Sequence, residues 1–257
     1  MKRKLIAALA CRNQGSRLYG KPLQNLDVST GQRILDNILD CLSCIDVIDE
    51  TVLGIAEGSE NDIYVDIAEA RGMRWIRGDE IDVLGRLIAC GEAACATDIF
   101  RITSESPFPF FSAVDKAWER YLEAEADGLF FDDTVDGCGF EILSLEALRR
   151  SHQRGEDRHR SELCTLYMRE NHNDFRILRE TASADLVRYD LRLTVDNPED
   201  LVVARKIYQA LSDQAPCIPI ADIIAFLDAH PELIKLTAPF TPAGYKNMYV
   251  WGKTNEV

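Results

Sequence analysis

Leu5-Ile6-Ala7-Ala8-Leu9-Ala10 runs directly into Cys11-Arg12-Asn13-Gln14-Gly15-Ser16-Arg17-Leu18-Tyr19-Gly20-Lys21-Pro22-Leu23. The six apolar residues show no two-residue alternation and are too few for a globular helix. They read as a strand buried on both faces, the kind found inside a parallel sheet. The segment after it is polar, with two glycines, a proline and the cations Arg12, Arg17 and Lys21. Glycines let backbone N–H groups approach a ligand, and the cations can neutralise oxygens. The GxxxxGK[ST] spacing of a P-loop is absent.

Further along, strand and helix patterns alternate with short links. Ile34, Leu35, Ile38, Leu39 and Leu42 recur at helical spacing. Thr51–Ala56 reads as a second strand, 62–70 as a helix, and 75–78 as the end of a third strand. Residues 82–96 read as a helix with an acidic start, 99–103 as a fourth strand and 113–124 as a helix. This alternation predicts an α/β fold, a mostly parallel central sheet with helices on both faces. Ligands of such sheets bind at the carboxyl ends of the strands. The chemically unusual stretches 12–21, 77–86 and 103–107 fall there.

The second half is more mixed. Residues 137–144 read as a strand entering a helix at Leu145, and 160–169 as helical. Residues 174–178 and 186–195 read as strands. Asn197-Pro198-Glu199-Asp200 starts a helix to about Leu211, with Asn197 as cap and Pro198 in the first turn. Residues 220–227 read as the last helix and 246–257 as a loose tail. The aromatic residues Tyr245, Tyr249 and Trp251, with Met248, fit either packing or an interface.

At 257 residues the chain can bury a core without staples, and it exceeds the roughly 150 residues of a single average domain. Its net charge of −14 argues against a general nucleic-acid binder. No apolar run approaches a membrane span of about 18 residues. The basic start and short apolar run at the N-terminus imitate a secretion signal, but the run is too short, and a cytoplasmic location is expected. The eight cysteines sit mostly among apolar neighbours and read as free thiols. Cys41-Leu42-Ser43-Cys44 is a single CxxC in a helical pattern, with no second pair to complete a zinc site.

Four ordered motifs carry a resemblance to a known family. Arg12-x4-Arg17-Leu18-x-Gly20-Lys21-x-Leu23 resembles the phosphate-binding signature of cytidylyltransferases that activate acidic sugars, the CMP-acylneuraminate and CMP-Kdo synthetases. Within them it is most similar to the SpsF-like branch of spore-coat polysaccharide biosynthesis. Arg77-Gly78-x3-Asp82-Val83-Leu84-Gly85-Arg86 is the most distinctive match. Arg101-Ile102-Thr103-Ser104-Glu105-Ser106-Pro107 and Arg192-Leu193-Thr194-Val195-Asp196-Asn197-Pro198-Glu199-Asp200-Leu201 follow in order. Gly137-x3-Glu141 and Glu162-x2-Thr165 match more loosely. The resemblance spans residues 4 to 211. The chain departs from it at Gly15 (usually Ser), Tyr19 (usually Pro), Glu105 (usually Asp) and Leu163 (usually His).

The resemblance implies a Rossmann-like nucleotide-diphospho-sugar transferase fold over residues 1–212. A nucleotide-binding half covers about 1–125 and an acceptor-binding and dimerisation half about 126–212, with 213–257 a C-terminal helix and tail packed on it. It implies that an acceptor oxygen attacks the α-phosphorus of CTP and pyrophosphate leaves, giving a CMP derivative for surface polysaccharide or glycan synthesis. Arg12 and Lys21 are the implied catalytic cations. Ala10, Asn13, Gln14, Gly15 and Arg17 join them in holding the nucleotide, and Asp82 and Arg86 line the nucleoside pocket. Glu105 and Asp196 hold Mg2+, and Glu141 and Glu162 face a small anionic acceptor. A homodimer is implied as well. Other readings remain open at this point: transfer to a phosphonate or sugar phosphate, a catalytically impaired nucleotide-binding homologue, and a glycosyltransferase of related fold. The last normally carries an Asp-x-Asp motif, which is absent here.

Overall fold

The computed structural model describes residues 3–15, 17–242, 245, 251 and 252. The opening run forms β1 (Leu5–Cys11). A small hairpin follows, β2 (Asn25–Asp27) and β3 (Gln32–Arg33), then α1 (Ile34–Leu42). Next come β4 (Glu50–Ala56), α2 (Asp62–Ala70), β5 (Arg74–Gly78), α3 (Val83–Ala93), β6 (Asp98–Arg101) and α4 (Val114–Glu123). The second half holds β7 (Gly128–Asp133), β8 (Phe140–Ser144), α5 (Leu145–Arg154), α6 (Leu166–Glu170) and β9 (Ile177–Thr181). It ends in α7 (Pro198–Ala210), α8 (Ile220–Ala229) and α9 (Pro231–Thr237).

The main sheet has seven strands in the order β5-β4-β1-β6-β8-β7-β9. Only β8 runs against its neighbours β6 and β7; the other pairings are parallel. The expected mostly parallel sheet is therefore present. Burial explains the unpatterned start. Leu5, Ala7, Leu9 and Cys11 face one core layer, while Ile6 and Ala8 face the other, and all six are buried. A strand covered on both sides has no use for polar alternation. The first of these layers also takes in Leu201 and Ile207 of α7 and Ile220, Ile223 and Leu227 of α8.

Several sequence expectations need correction. The stretch 186–195 is not a strand among the described residues; it touches the sheet region through one bridge, Asp136 to Arg192. Its backbone N–H groups are spent elsewhere: Leu193 donates to Asp136 O (2.7 Å) and Val195 to Glu105 O (3.2 Å). Residues 160–165 are not helical, because the Arg160 carbonyl accepts from Leu84 N (3.0 Å) outside any helix. Only 166–170 form α6. The strand β7 carries no clear sequence signal, β8 begins at Phe140 instead of Gly137, and α9 follows the helix expected to be last. The expected loose tail at 246–257, with Met248 and Tyr249, lies outside the described residues apart from Trp251 and Gly252.

Gly137 shows why β8 starts late. Its φ is +92°, and a Cβ there would sit 2.3 Å from Thr194 N. Gly137→Ala is expected to lower stability by about 1–3 kcal/mol, read as a drop in melting midpoint. The segment displaced would be the one that leads into Asp196.

Candidate active site

The sheet order reverses at β1, whose neighbours β4 and β6 belong to successive crossovers on either side. A cleft of about 620 Å3 opens at the carboxyl ends of β1 and β6. That is where the topology of an open parallel sheet places a ligand. Of the residues expected from the sequence, all but Asp82 line this cleft.

The loop after β1 is built to hold its shape. Gly20 N donates to Asn13 O (2.9 Å), closing the loop on itself. Asn13 is buried: its N–H donates to Asn61 Oδ1 (2.8 Å) and its Oδ1 accepts from Tyr64 (2.9 Å). Gln14 reaches Glu60 (3.3 Å). Asn13 and Gln14 thus tie the loop to the start of α2, while Ala10 and Gly15 supply cleft wall. With the frame fixed, Arg12, Arg17 and Lys21 face inward.

Each of the three cations already has a carboxylate. Arg12 pairs with Glu162, whose side chain is 72% exposed. Lys21 donates to Asp196 Oδ1 (2.6 Å), and Arg17 reaches the same oxygen (3.2 Å). Arg192 holds Asp196 Oδ2 and also bonds Asp136 (2.8 Å) and Asp200 (3.2 Å). Burial pushes the Asp196 carboxyl up, but Lys21, Arg192 and Arg17 outweigh it and hold it below its ordinary value. Asp200 meanwhile accepts from Asp196 N (3.0 Å) and Asn197 N (2.8 Å), completing a capping box with Asn197, which stands at the expected N-cap of α7.

Glu105 stands beside this cluster, because its own carbonyl accepts from Val195 N (3.2 Å). Among the described residues its carboxyl bonds the Ser104 hydroxyl, at 3.4 Å. Burial raises its pKa; Lys21 opposes the rise, and Asp196 and Glu162 add to it. A carboxylate held near two others is stabilised by a cation placed among them. The available donors are oxygen only, and Mg2+ binds through one or two carboxylates with waters and substrate phosphates completing its octahedron. Glu105 and Asp196 fit that ion. Among the described residues no group of three His, Cys, Asp or Glu side chains could hold a metal by itself.

Two expectations about the nucleoside pocket change. Asp82 does not line the cleft; its carboxylate caps α3 at Gly85 N (2.7 Å) and contacts His152 (2.6 Å). Arg86 touches the cleft but is only 2% exposed. Its guanidinium donates to the carbonyls of Gly54 (2.8 Å), Cys11 (3.2 Å) and Glu80 (3.3 Å). A Cβ on Gly78 would lie 2.8 Å from Arg86 Cγ, so the glycine makes room for the arginine stem. The most distinctive motif therefore builds the floor under the loop after β1.

The cleft wall around Glu141 holds residues that the motifs do not assign. Glu141 accepts from Thr165 (2.9 Å), Arg169 (2.8 Å) and Arg101 (2.9 Å), so both its oxygens are engaged. Burial raises its pKa, but Arg101 and Arg169 outweigh this and keep it lowered. Arg169 also grips Asp132 (2.6 and 2.9 Å) and lies over the rings of Phe130 and Trp251, 4.6 and 4.9 Å from their centroids. Arg169 is four residues after Thr165, one helical turn, which is the signal that could have found it. Asp132 lies near the end of β7 and gives no signal in the sequence. Glu162 is fixed from behind, its carbonyl accepting from Arg101 (3.3 Å). Leu163 adds an apolar wall.

No family model matches this chain. An uncharacterised protein of Methanocaldococcus jannaschii is 26% identical over 248 residues, 95% of this chain and 99% of that protein. The spore coat polysaccharide biosynthesis protein SpsF of Bacillus subtilis is 24% identical over 238 residues, 89% of this chain and 85% of its own. Among solved structures, a cytidylyltransferase from Leptospira borgpetersenii superposes with a TM-score of 0.81 at 20% identity, over 91% of this chain and 97% of that one. A CMP:2-keto-3-deoxy-manno-octonic acid synthetase in complex with CTP gives 0.59 at 14% identity, over 80% of this chain and 99% of its own. The fold is that of these nucleotidyltransferases, and the resemblance read from the motifs is borne out.

Proposed function

We propose that this chain is a cytidylyltransferase that uses CTP and Mg2+ to convert an acidic sugar, or a related small anionic acceptor, to its CMP derivative with release of pyrophosphate. One observation carries the reading. Three cations from the loop after β1 line one cleft with Glu105 and Asp196 at the reversal point of the sheet, and two of them, Arg17 and Lys21, pair with Asp196.

The reaction asks little covalent chemistry of the protein; alignment and charge neutralisation do the work. Arg12 exchanges Glu162 for a phosphate oxygen. Arg17 and Lys21 exchange Asp196 for others, with Lys21 placed to stabilise charge on the departing pyrophosphate. Arg86 keeps the carbonyl of Cys11, and so the start of the loop, in place. Glu105 and the released Asp196 would hold Mg2+, which supplies further neutralisation of the phosphates. Glu162, once free of Arg12, faces the acceptor. Glu141 acts through Arg101 and Arg169, which it holds at the cleft wall.

A thermal melt with CTP, UTP, GTP and ATP, each with and without Mg2+, tests the nucleotide. A ligand at 100 times its Kd stabilises by about 2.7 kcal/mol, and this is expected for CTP alone. Pyrophosphate release over a panel of acidic sugars, sugar phosphates and phosphonates then identifies the acceptor. A second reading, a nucleotide-binding homologue with impaired catalysis, is favoured by the complete engagement of Asp196 by cations; it predicts the melt shift without pyrophosphate release. Asp196→Asn is expected to remove the magnesium-dependent part of the CTP shift, and an unchanged magnesium titration would count against the metal assignment.

A further inference from the structure

The cleft leaves the CxxC motif unused, yet the fold brings a third thiol to it. Cys41 is buried in α1, and Cys44 is exposed just past its end. Cys217, 176 residues beyond Cys41, comes from the loop before α8, and its sulfur lies 3.7 Å from that of Cys41. Cys44 N donates to the Cys41 carbonyl (3.0 Å) one turn on, so an exposed thiol stands beside the buried contact.

We propose that Cys41 and Cys217 form a disulfide under two-electron oxidants of the peroxide class, with Cys44 as the thiol the oxidant meets first. The sulfurs are already in van der Waals contact on separate elements, so closure asks for side-chain rotation more than backbone movement. The chemistry balances in three steps. Peroxide converts the Cys44 thiol to a sulfenic acid and is reduced to water. The Cys217 thiol displaces the sulfenic oxygen as a second water, giving a Cys44–Cys217 bond. The Cys41 thiol then attacks the Cys217 sulfur, and Cys44 leaves as a thiol. In sum, two thiols lose two hydrogens and peroxide becomes two waters. Cys41 is buried away from the oxidant and touches only the Cys217 sulfur of the group, so it enters the bond by exchange with that neighbour.

The test uses the full reduced protein and limiting hydrogen peroxide. The intact mass is expected to fall by two hydrogens, and peptide mapping to find Cys41 joined to Cys217. The bridge closes a long loop, so the melting midpoint is expected to rise by about 5 °C or more. Cys217→Ser is expected to abolish the bridge and leave a Cys44 sulfenic acid that dimedone traps. Cys44→Ser is expected to give the same bridge about ten-fold more slowly. Cys95, exposed and outside the group, reports unselective oxidation. A Cys217 that iodoacetamide still alkylates after Cys44 or Cys95 has oxidised overturns the proposal, as does a bridge between Cys41 and Cys44.

Discussion

Lys21→Ala is expected to cut CTP-dependent pyrophosphate release about 10²–10³-fold while moving the melting midpoint little. The rate follows from position. The Lys21 ammonium is more enclosed than the other loop cation on Asp196, with a side chain 18% exposed against 53% for Arg17. A fixed charge in such a site stabilises developing negative charge far better than water does, and removing one such donor typically costs this factor. The fold is spared because Asp196 keeps Arg192 and Arg17 as partners when Lys21 is lost. Unchanged turnover would mean that the loop after β1 does not hold the phosphates. An unfolded variant would mean that the Lys21–Asp196 pair is structural.

The second large effect belongs to Glu141. Glu141→Ala removes the carboxylate that Arg101 bonds and leaves Arg169 paired with Asp132 alone, in a poorly solvated wall. The two arginine side chains are 16% and 6% exposed. Removing one member of a buried charge cluster typically costs about 3–5 kcal/mol, because the remaining charges lose compensation. In a chain of this length that is a fall of about 10 °C in the melting midpoint. Glu141→Gln keeps two acceptor contacts through its amide oxygen and is expected to lose less. A melt of Glu141→Ala indistinguishable from the parent would return Glu141 to direct acceptor binding.

The first half of the fold and the start of α7 are legible in the sequence because their signals are local. An apolar run closing into a Gly- and cation-rich loop, a helix with an Asp cap, and Asn-Pro-Glu-Asp at a helix start each specify their structure within a few residues. The later half is less legible because its geometry is set at a distance. Residues 186–195 have strand composition, yet their N–H groups bond to loops around Asp136 and Glu105. No local pattern records such partners. The same holds for the site. Motifs suffice to name Arg12, Lys21, Glu105 and Asp196, whereas Asp132 depends on a strand that reads weakly. For Arg86 the motif marks a residue that matters at the site, but it does not say whether the side chain faces the ligand or supports the floor.

Among the described residues the cleft is lined by seven cationic side chains and six carboxylates. On the proposed reaction this near balance governs exit as much as entry. A pocket of bare cations would retain pyrophosphate, the more charged and compact of the two products. Here Glu162 and Asp196 remain within reach of Arg12, Arg17 and Lys21, and each phosphate oxygen that loosens is replaced by a tethered carboxylate. The self-paired cleft is thus a low-energy resting state, and product dissociation runs toward it by partner exchange instead of by exposing unpaired charge.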